Sequence, residues 1–128
     1  MTPRTPQAYA RGELVIVLDA ADLDRAAAFW CEVLGYRRTH SSGKYLSLIP
    51  ADGVGCELLV QRVDDVKRAK NRLHLDLRTA DLEAEVARVV ALGATVLSAE
   101  PIVEDGWRWY VLADLDGNEF CVLQPPTL

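Results

Sequence analysis

The sequence is poor in the residues that build metal centres and disulfide scaffolds, with two histidines and three cysteines among 128 residues. Cys31, Cys56 and Cys121 are odd in number and far apart, and no CxxC or zinc-knuckle spacing joins them. That pattern argues against a disulfide framework or a structural zinc site and fits reduced thiols in a cytoplasmic protein. An excess of positive charge is also missing. With 14 Lys and Arg against 19 Asp and Glu, the net charge is −5, whereas a nucleic-acid surface needs a positive field. The one basic cluster, Lys67, Arg68, Lys70 and Arg72, reads as a solvated loop ahead of an anion-steering patch. No apolar run approaches membrane-spanning length, so no membrane partner is expected. The opening MTPRTPQAYARGE holds two prolines and no hydrophobic stretch of a signal peptide. Residues 1–12 are expected to be a disordered leader and 125–128 a tail.

What remains is ordinary globular composition. Half the residues are hydrophobic and 26% are charged, enough to bury the core of one domain of this length. ELVIVLD (13–19) is a β-branched apolar run that reads as a buried strand. DLDRAAAFWCEVLG (22–35) follows, with Asp22 as N-cap, a helical stripe of Leu23, Ala27, Trp30 and Leu34, and Gly35 at the C-terminal turn. YRRTH (36–40), KYLSLIP (44–50) and CELLVQRV (56–63) read as three strands parted by the turn-like SSG and ADGVG. After the linker DDVKRAK comes NRLHLDL (71–77), and then the order recurs. DLEAEVARVVALG (81–93) is a helix capped by Asp81, with Glu83 and Glu85 early enough to suit its dipole. ATVLSA (94–99), WRWYVLA (107–113) and EFCVLQ (119–124) complete the second set.

The chain thus spells β-α-β-β-β twice. A-D-L at 21–23 returns at 80–82, an offset of 59, and each helix runs to an L-G pair. Two copies of one unit imply an α+β fold in which modules 13–63 and 71–124 build one curved mixed sheet. Helices would cover its outer face, leaving a ligand cleft on the inner one.

NRLHLDL alternates strictly. Leu73, Leu75 and Leu77 share one parity; Arg72, His74 and Asp76 share the other. Solvent, a ligand pocket or a metal site would each account for that polar face. The offset of 59 matches His74 to Val15, and the closing strands match Glu57 to Cys121. These four positions should therefore meet near the axis relating the two modules, with the leucines facing the helices.

FWCEVLGY after the ADLDR start, RLHLDL opening the second half and DLDGNEFCVL near the end resemble the vicinal oxygen chelate superfamily. Glyoxalase I, bleomycin-resistance proteins, extradiol dioxygenases and fosfomycin-resistance enzymes belong to it. The resemblance runs from 13 to 124. F-W-x-x-x-L-G and D-x-D-G-N-x-F are specific for the fold and much less so for a reaction, and the local flavour is similar to small bacterial glyoxalase-like domains. The resemblance implies metal ligands at the four matched positions. Glu57 and His74 fit that pattern. Val15 has no donor atom, and Cys121 replaces a carboxylate with a soft thiol beside harder ligands. The expectation is a metal site that has been lost, with a divalent ion on Glu57 and His74 as the open alternative. Superfamily habit further implies a homodimer.

Each candidate also has a plain structural reading. His74 has a counterpart in His40, at a strand end; a lone histidine on a sheet is often a hydrogen-bonded structural group. Asp76 would orient His74 or pair with Arg72. Glu57 lies in an apolar strand and needs a partner or a place at a strand edge. Cys121, between Phe120 and Val122, reads first as an inert buried thiol. Trp107 and Trp109 share one face of WRWY and Arg108 and Tyr110 the other; which face lines the cleft is left open by the sequence, while Trp30 belongs to the core. DGW (105–107) would form a flexible lip. The function these features favour is small-molecule binding at a pocket that includes Val15, Glu57, His74 and Asp76 with Trp107, Trp109 and Cys121. A metal-dependent lyase, isomerase or dioxygenase is the alternative, and acid–base catalysis by His74 with Asp76 or Glu57 a third.

Overall fold

The computed structural model describes residues 14–71 and 73–126. The expected leader, Arg72 and the last two residues of the tail lie outside the described residues. The chain divides into two compact units, Met1–Asp65 and Val66–Leu128, at a point inside the linker that separates the two sequence repeats.

In the first unit β1 (Val15–Ala20), α1 (Leu23–Leu34), β2 (Tyr36–Ser42), β3 (Tyr45–Pro50) and β4 (Glu57–Arg62) follow in order. The sheet order is β1-β4-β3-β2, with β1 parallel to β4 and the remaining pairs antiparallel. A parallel pair needs a crossover, and α1 begins it. The Asp22 side chain accepts from the Arg25 N–H at 3.0 Å. Gly35 ends the helix in the left-handed region at φ 70°, which a side chain would resist. α1 buries Ala26, Ala27, Phe29, Trp30 and Val33, so its apolar stripe is turned toward Phe29 and Val33 and away from Leu23 and Leu34, which stay half-buried. Phe29 meets Trp30 edge to face at 5.2 Å, and Leu48, Leu58 and Val60 fill the core of this unit.

The second unit holds β5 (Asp76–Arg78), α2 (Leu82–Ala91), β6 (Thr95–Val96), β7 (Ile102–Glu104), β8 (Trp107–Ala113) and β9 (Glu119–Gln124). Its order is β5-β9-β8-β6, with β7 also on β8 and β5 parallel to β9. The Asp81 side chain caps α2 through the Ala84 N–H at 3.2 Å, and Leu82, Val86 and Val89 form the buried face. β6 and β7 pair with opposite ends of one edge of β8. Between them the Ser98 hydroxyl takes the Val111 N–H at 3.0 Å, a bond the edge strand would otherwise make. With that edge read as one broken strand, both units follow the same path.

The α+β character and the doubled βαβββ path follow the sequence. The strands, however, form two sheets, one in each unit, where one sheet was expected: each unit's first strand pairs with its own last strand. NRLHLDL also differs from expectation. Among its described residues only Asp76–Arg78 is strand, because the Glu119 carboxylate and carbonyl bond Asn71 first and hold the chain before the ladder begins. Leu73 is consequently 87% exposed, not helix-facing, while Leu75 and Leu77 are half-buried. Among the described residues no helix is long and apolar enough to cross a membrane.

Candidate ligand pocket

Alternation along β8 and β9 assigns the two faces of the second sheet. Tyr110 donates to the Glu83 carboxylate of α2 at 3.4 Å, and Arg108 reaches the same carboxylate at 3.3 Å. These two side chains therefore lie on the helix side, with Val122 opposite Tyr110 and Gln124 opposite Arg108. Gln124 confirms the assignment by accepting the Leu82 N–H at 2.8 Å through its side-chain oxygen. The other parity, Trp107, Trp109 and Val111 with Cys121 and Leu123, faces away from α2. Asp76 joins it as the Cα partner of Cys121.

That second face carries a cavity of about 410 Å³. Trp109, Val111 and Leu123 form its apolar wall, Ile102 of β7 adds to it, and His74, Asp76 and Cys121 supply polar groups beside Glu119, Lys70 and Asn71. Trp107 shares the face but takes a different partner: the Arg78 guanidinium lies 5.7 Å from its ring centroid.

The electrostatics of this face are set by two carboxylates. Glu119 accepts the Asn71 N–H at 3.1 Å and lies 3.7 Å from Lys67 Nζ and 3.4 Å from Lys70 Nζ. Its carboxyl is held below the ordinary glutamate value, first by the Asn71 N–H and then by the two lysines. Part of the basic cluster is thus an anchor, not a solvated loop. Cys121 is 9% exposed. Burial pushes its thiol up, and the neighbouring Asp76 pushes it further in the same direction.

The residues singled out in the sequence fall into two groups. Val15 and Glu57 are Cα partners on β1 and β4 in the first unit. Glu57 finds the partner it needed in Ser47, whose hydroxyl donates to its carboxylate at 2.5 Å. Around the cavity of the second unit stand His74, which is exposed, with Asp76, Trp109 and Cys121. The offset of 59 matches His74 to Val15, yet Asp76 occupies the equivalent place opposite the closing strand. Pairing of Asp76 with Arg72 falls outside the described residues. His40 is an exposed residue of β2.

Four features escaped the sequence reading. Ser47 sits on the parity that faces Glu57, a signal present in KYLSLIP. Glu119 carried no flag because its partners lie 48 and more residues earlier. β7 is only three residues long. DGW, expected as a flexible lip, is a tight turn: Asp105 and Gly106 both have positive φ, 53° and 84°, and Glu104 pairs with Trp107 across it. An Asp-Gly pair between strands is the usual sequence of such two-residue hairpins.

A metal ion bound as the superfamily resemblance implies would need four donors at Val15, Glu57, His74 and Cys121. Val15 offers none. Cys121 would set a soft thiolate beside the harder carboxylate and imidazole donors, a poor match for octahedral metals. Glu57 is already engaged by Ser47. Among the described residues no three His, Cys, Asp or Glu side chains are grouped to hold an ion. This donor set does not fit the metal.

The model of the glyoxalase-like domain family matches residues 15–123. No curated protein matches the chain. Among solved structures, the fosfomycin resistance protein FosX from Listeria monocytogenes, complexed with Mn(II) and sulfate, is similar with a TM-score of 0.72 at 22% identity, covering 91% of each chain. TnmS3, an antibiotic-binding protein from Streptomyces sp. CB03234, gives 0.64 at 24% identity over 88% of this chain and 94% of its own. A glyoxalase/bleomycin resistance protein/dioxygenase family enzyme from Burkholderia phytofirmans gives 0.67 at 17% identity over 86% and 95%. At these identities the structures establish the fold, and the family model establishes membership: the chain belongs to the glyoxalase-like domain family.

Proposed function

We propose that this chain is a small-molecule-binding member of the family and that the cavity of its second unit receives a flat, largely apolar ligand against Trp109. The observation that carries this reading is the cavity itself, about 410 Å³ with Trp109, Val111 and Leu123 on one wall. A volume of that order suits a small organic molecule, and an indole face offers contact area at little entropic cost. The antibiotic-binding TnmS3 supports the same reading by analogy of fold.

Intrinsic fluorescence tests it directly, since the chain has three tryptophans and Trp30 is sealed in the core. Titration with a panel of aromatic metabolites should change the emission of the wild type and of Trp107→Phe, and leave Trp109→Phe nearly silent. A wild type that responds to no member of the panel would count decisively against the proposal.

Metal-dependent lyase, isomerase or dioxygenase chemistry through Glu57 and His74 is the competing reading, raised by the Mn(II) complex of the Listeria protein. The donor set argues against it. Elemental analysis after dialysis against Mn(II) and Zn(II) separates the two readings: a stoichiometric ion that is lost in His74→Ala would favour the metal enzyme.

A further inference from the structure

The two carboxylates of the cavity are in different hydrogen-bonding states. Glu119 is committed: Asn71, Lys67 and Lys70 surround it, and its charge holds the 67–71 segment to β9. Among the described residues Asp76 has no such set of partners. It is exposed, and its neighbour across the ladder is the Cys121 thiol, a weak donor that occupies at most one of the roughly four acceptor positions of a carboxylate. Lys70 and His74 also border the cavity; Lys70 is held at Glu119, and His74 is exposed, as Asp76 is.

The ladder fixes how far Asp76 stands from the aromatic wall. Asp76 is opposite Cys121, Cys121 is opposite Val111, and Trp109 is two residues along from Val111 on the same face. Two strand spacings across and two residues along put the Cα atoms roughly 12 Å apart. Both side chains project into the gap. A fused two-ring system lying on the indole therefore brings its far edge near the carboxylate.

From this we infer that the pocket selects flat aromatic ligands carrying an O–H or N–H donor at one end, with the rings on Trp109 and the donor on Asp76. The inference rests on the cavity being a ligand site. Selection works by rejection. A ligand with no donor covers Asp76, strips its water and leaves most of the carboxylate's acceptor positions unfilled, which costs more than an ordinary hydrogen bond returns. An anionic end adds repulsion. A hydroxyl or amino group replaces the lost water, so discrimination should be large even though Asp76 itself is exposed in the empty pocket.

Isothermal calorimetry with 2-naphthol, 2-methoxynaphthalene and 2-naphthoate tests the inference on the full chain and on Asp76→Ala. Asp76 is exposed, and circular dichroism checks that the variant is folded. The wild type should bind 2-naphthol at least about tenfold more tightly than either analogue. In Asp76→Ala the three should fall within about threefold of one another, with 2-methoxynaphthalene binding gained as well as 2-naphthol binding lost. Equal binding of 2-naphthol and 2-methoxynaphthalene by the wild type, or a preference that survives in Asp76→Ala, would overturn the donor inference and leave the cavity standing as a ligand site. If none of the three binds the wild type, the cavity is not an aromatic site and both readings fall.

Discussion

Asp76 and Cys121 stand opposite each other on the parallel ladder of β5 and β9, in the place that Val15 and Glu57 hold on β1 and β4. The acid has therefore changed sides. In the first unit it lies on the closing strand beside an apolar residue, and in the second on the opening strand beside a thiol. Aligning His74 with Val15 misses this by two residues, a slip that keeps every side chain on its own face. The change of partner adds to what burial does to Cys121.

Burial first, and the Asp76 charge second, push that thiol above its ordinary value. Because the thiolate is the nucleophile, Cys121 should react slowly with iodoacetamide at pH 8. Asp76→Asn removes one of the raising causes, so the thiol becomes more acidic and labelling should accelerate roughly two- to fivefold. Peptide-resolved mass spectrometry reads this, with Cys31 as an internal control. An unchanged Cys121 rate would mean that burial alone governs the thiol.

Glu119 predicts a pH dependence of stability. Its folded-state value lies below the unfolded one, so its contribution is present above the usual glutamate pKa of about 4.3 and is lost as pH falls through the lowered value. Glu119→Gln should cost about 1–2 kcal/mol near neutral pH, a range discounted for the solvent around its lysines. Urea unfolding curves of the two proteins should draw together below pH 4. A gap of constant size from pH 7 to pH 3 would exclude the ionic anchor.

Ser47→Ala probes the first unit. Ser47 is buried, and its hydroxyl is the donor to Glu57. Without it a half-buried carboxylate loses a partner in an otherwise apolar strand, and stability should drop by about 1–3 kcal/mol. Chemical denaturation measures the loss, and Ser47→Thr, which keeps the hydroxyl, should recover part of it.

Gly106→Ala tests the β7–β8 turn. Gly106 has φ 84°, and a Cβ there would lie 3.1 Å from Pro126 Cβ. The conformation alone should cost about 1–2 kcal/mol, with the Pro126 contact adding to it. Thermal unfolding followed at the tryptophan band should report the lower midpoint. Gly43→Ala is the control, because it shares the positive φ but meets nothing within 4 Å. The variant at 106 should be the worse of the two.

The helices and their caps were legible in the sequence because the signals are local: Asp22 and Asp81 each accept an N–H three residues on. The doubled path was legible because A-D-L and L-G repeat at matched places. WRWYVLA and EFCVLQ gave β8 and β9 with their observed limits. The opening strand was misread because alternation cannot reveal what precedes a ladder, and Glu119 reaches back 48 residues to hold Asn71. The same distance hid the anchoring of Lys67 and Lys70. His74, Asp76, Trp109 and Cys121 stand out in the sequence and border the cavity, whereas the face of WRWY is fixed only by the contact of Arg108 and Tyr110 with Glu83.

The division of labour along β8 has an evolutionary consequence. Odd-numbered positions 109 and 111 form part of the cavity wall, while even-numbered 108 and 110 tether α2 through Glu83. A mutation at 109 can therefore reshape the wall without loosening the helix, and one at 110 can loosen the helix without reshaping the wall. Descendants of such a strand are free to reshape one face through single substitutions at every second position, with the scaffold inherited intact.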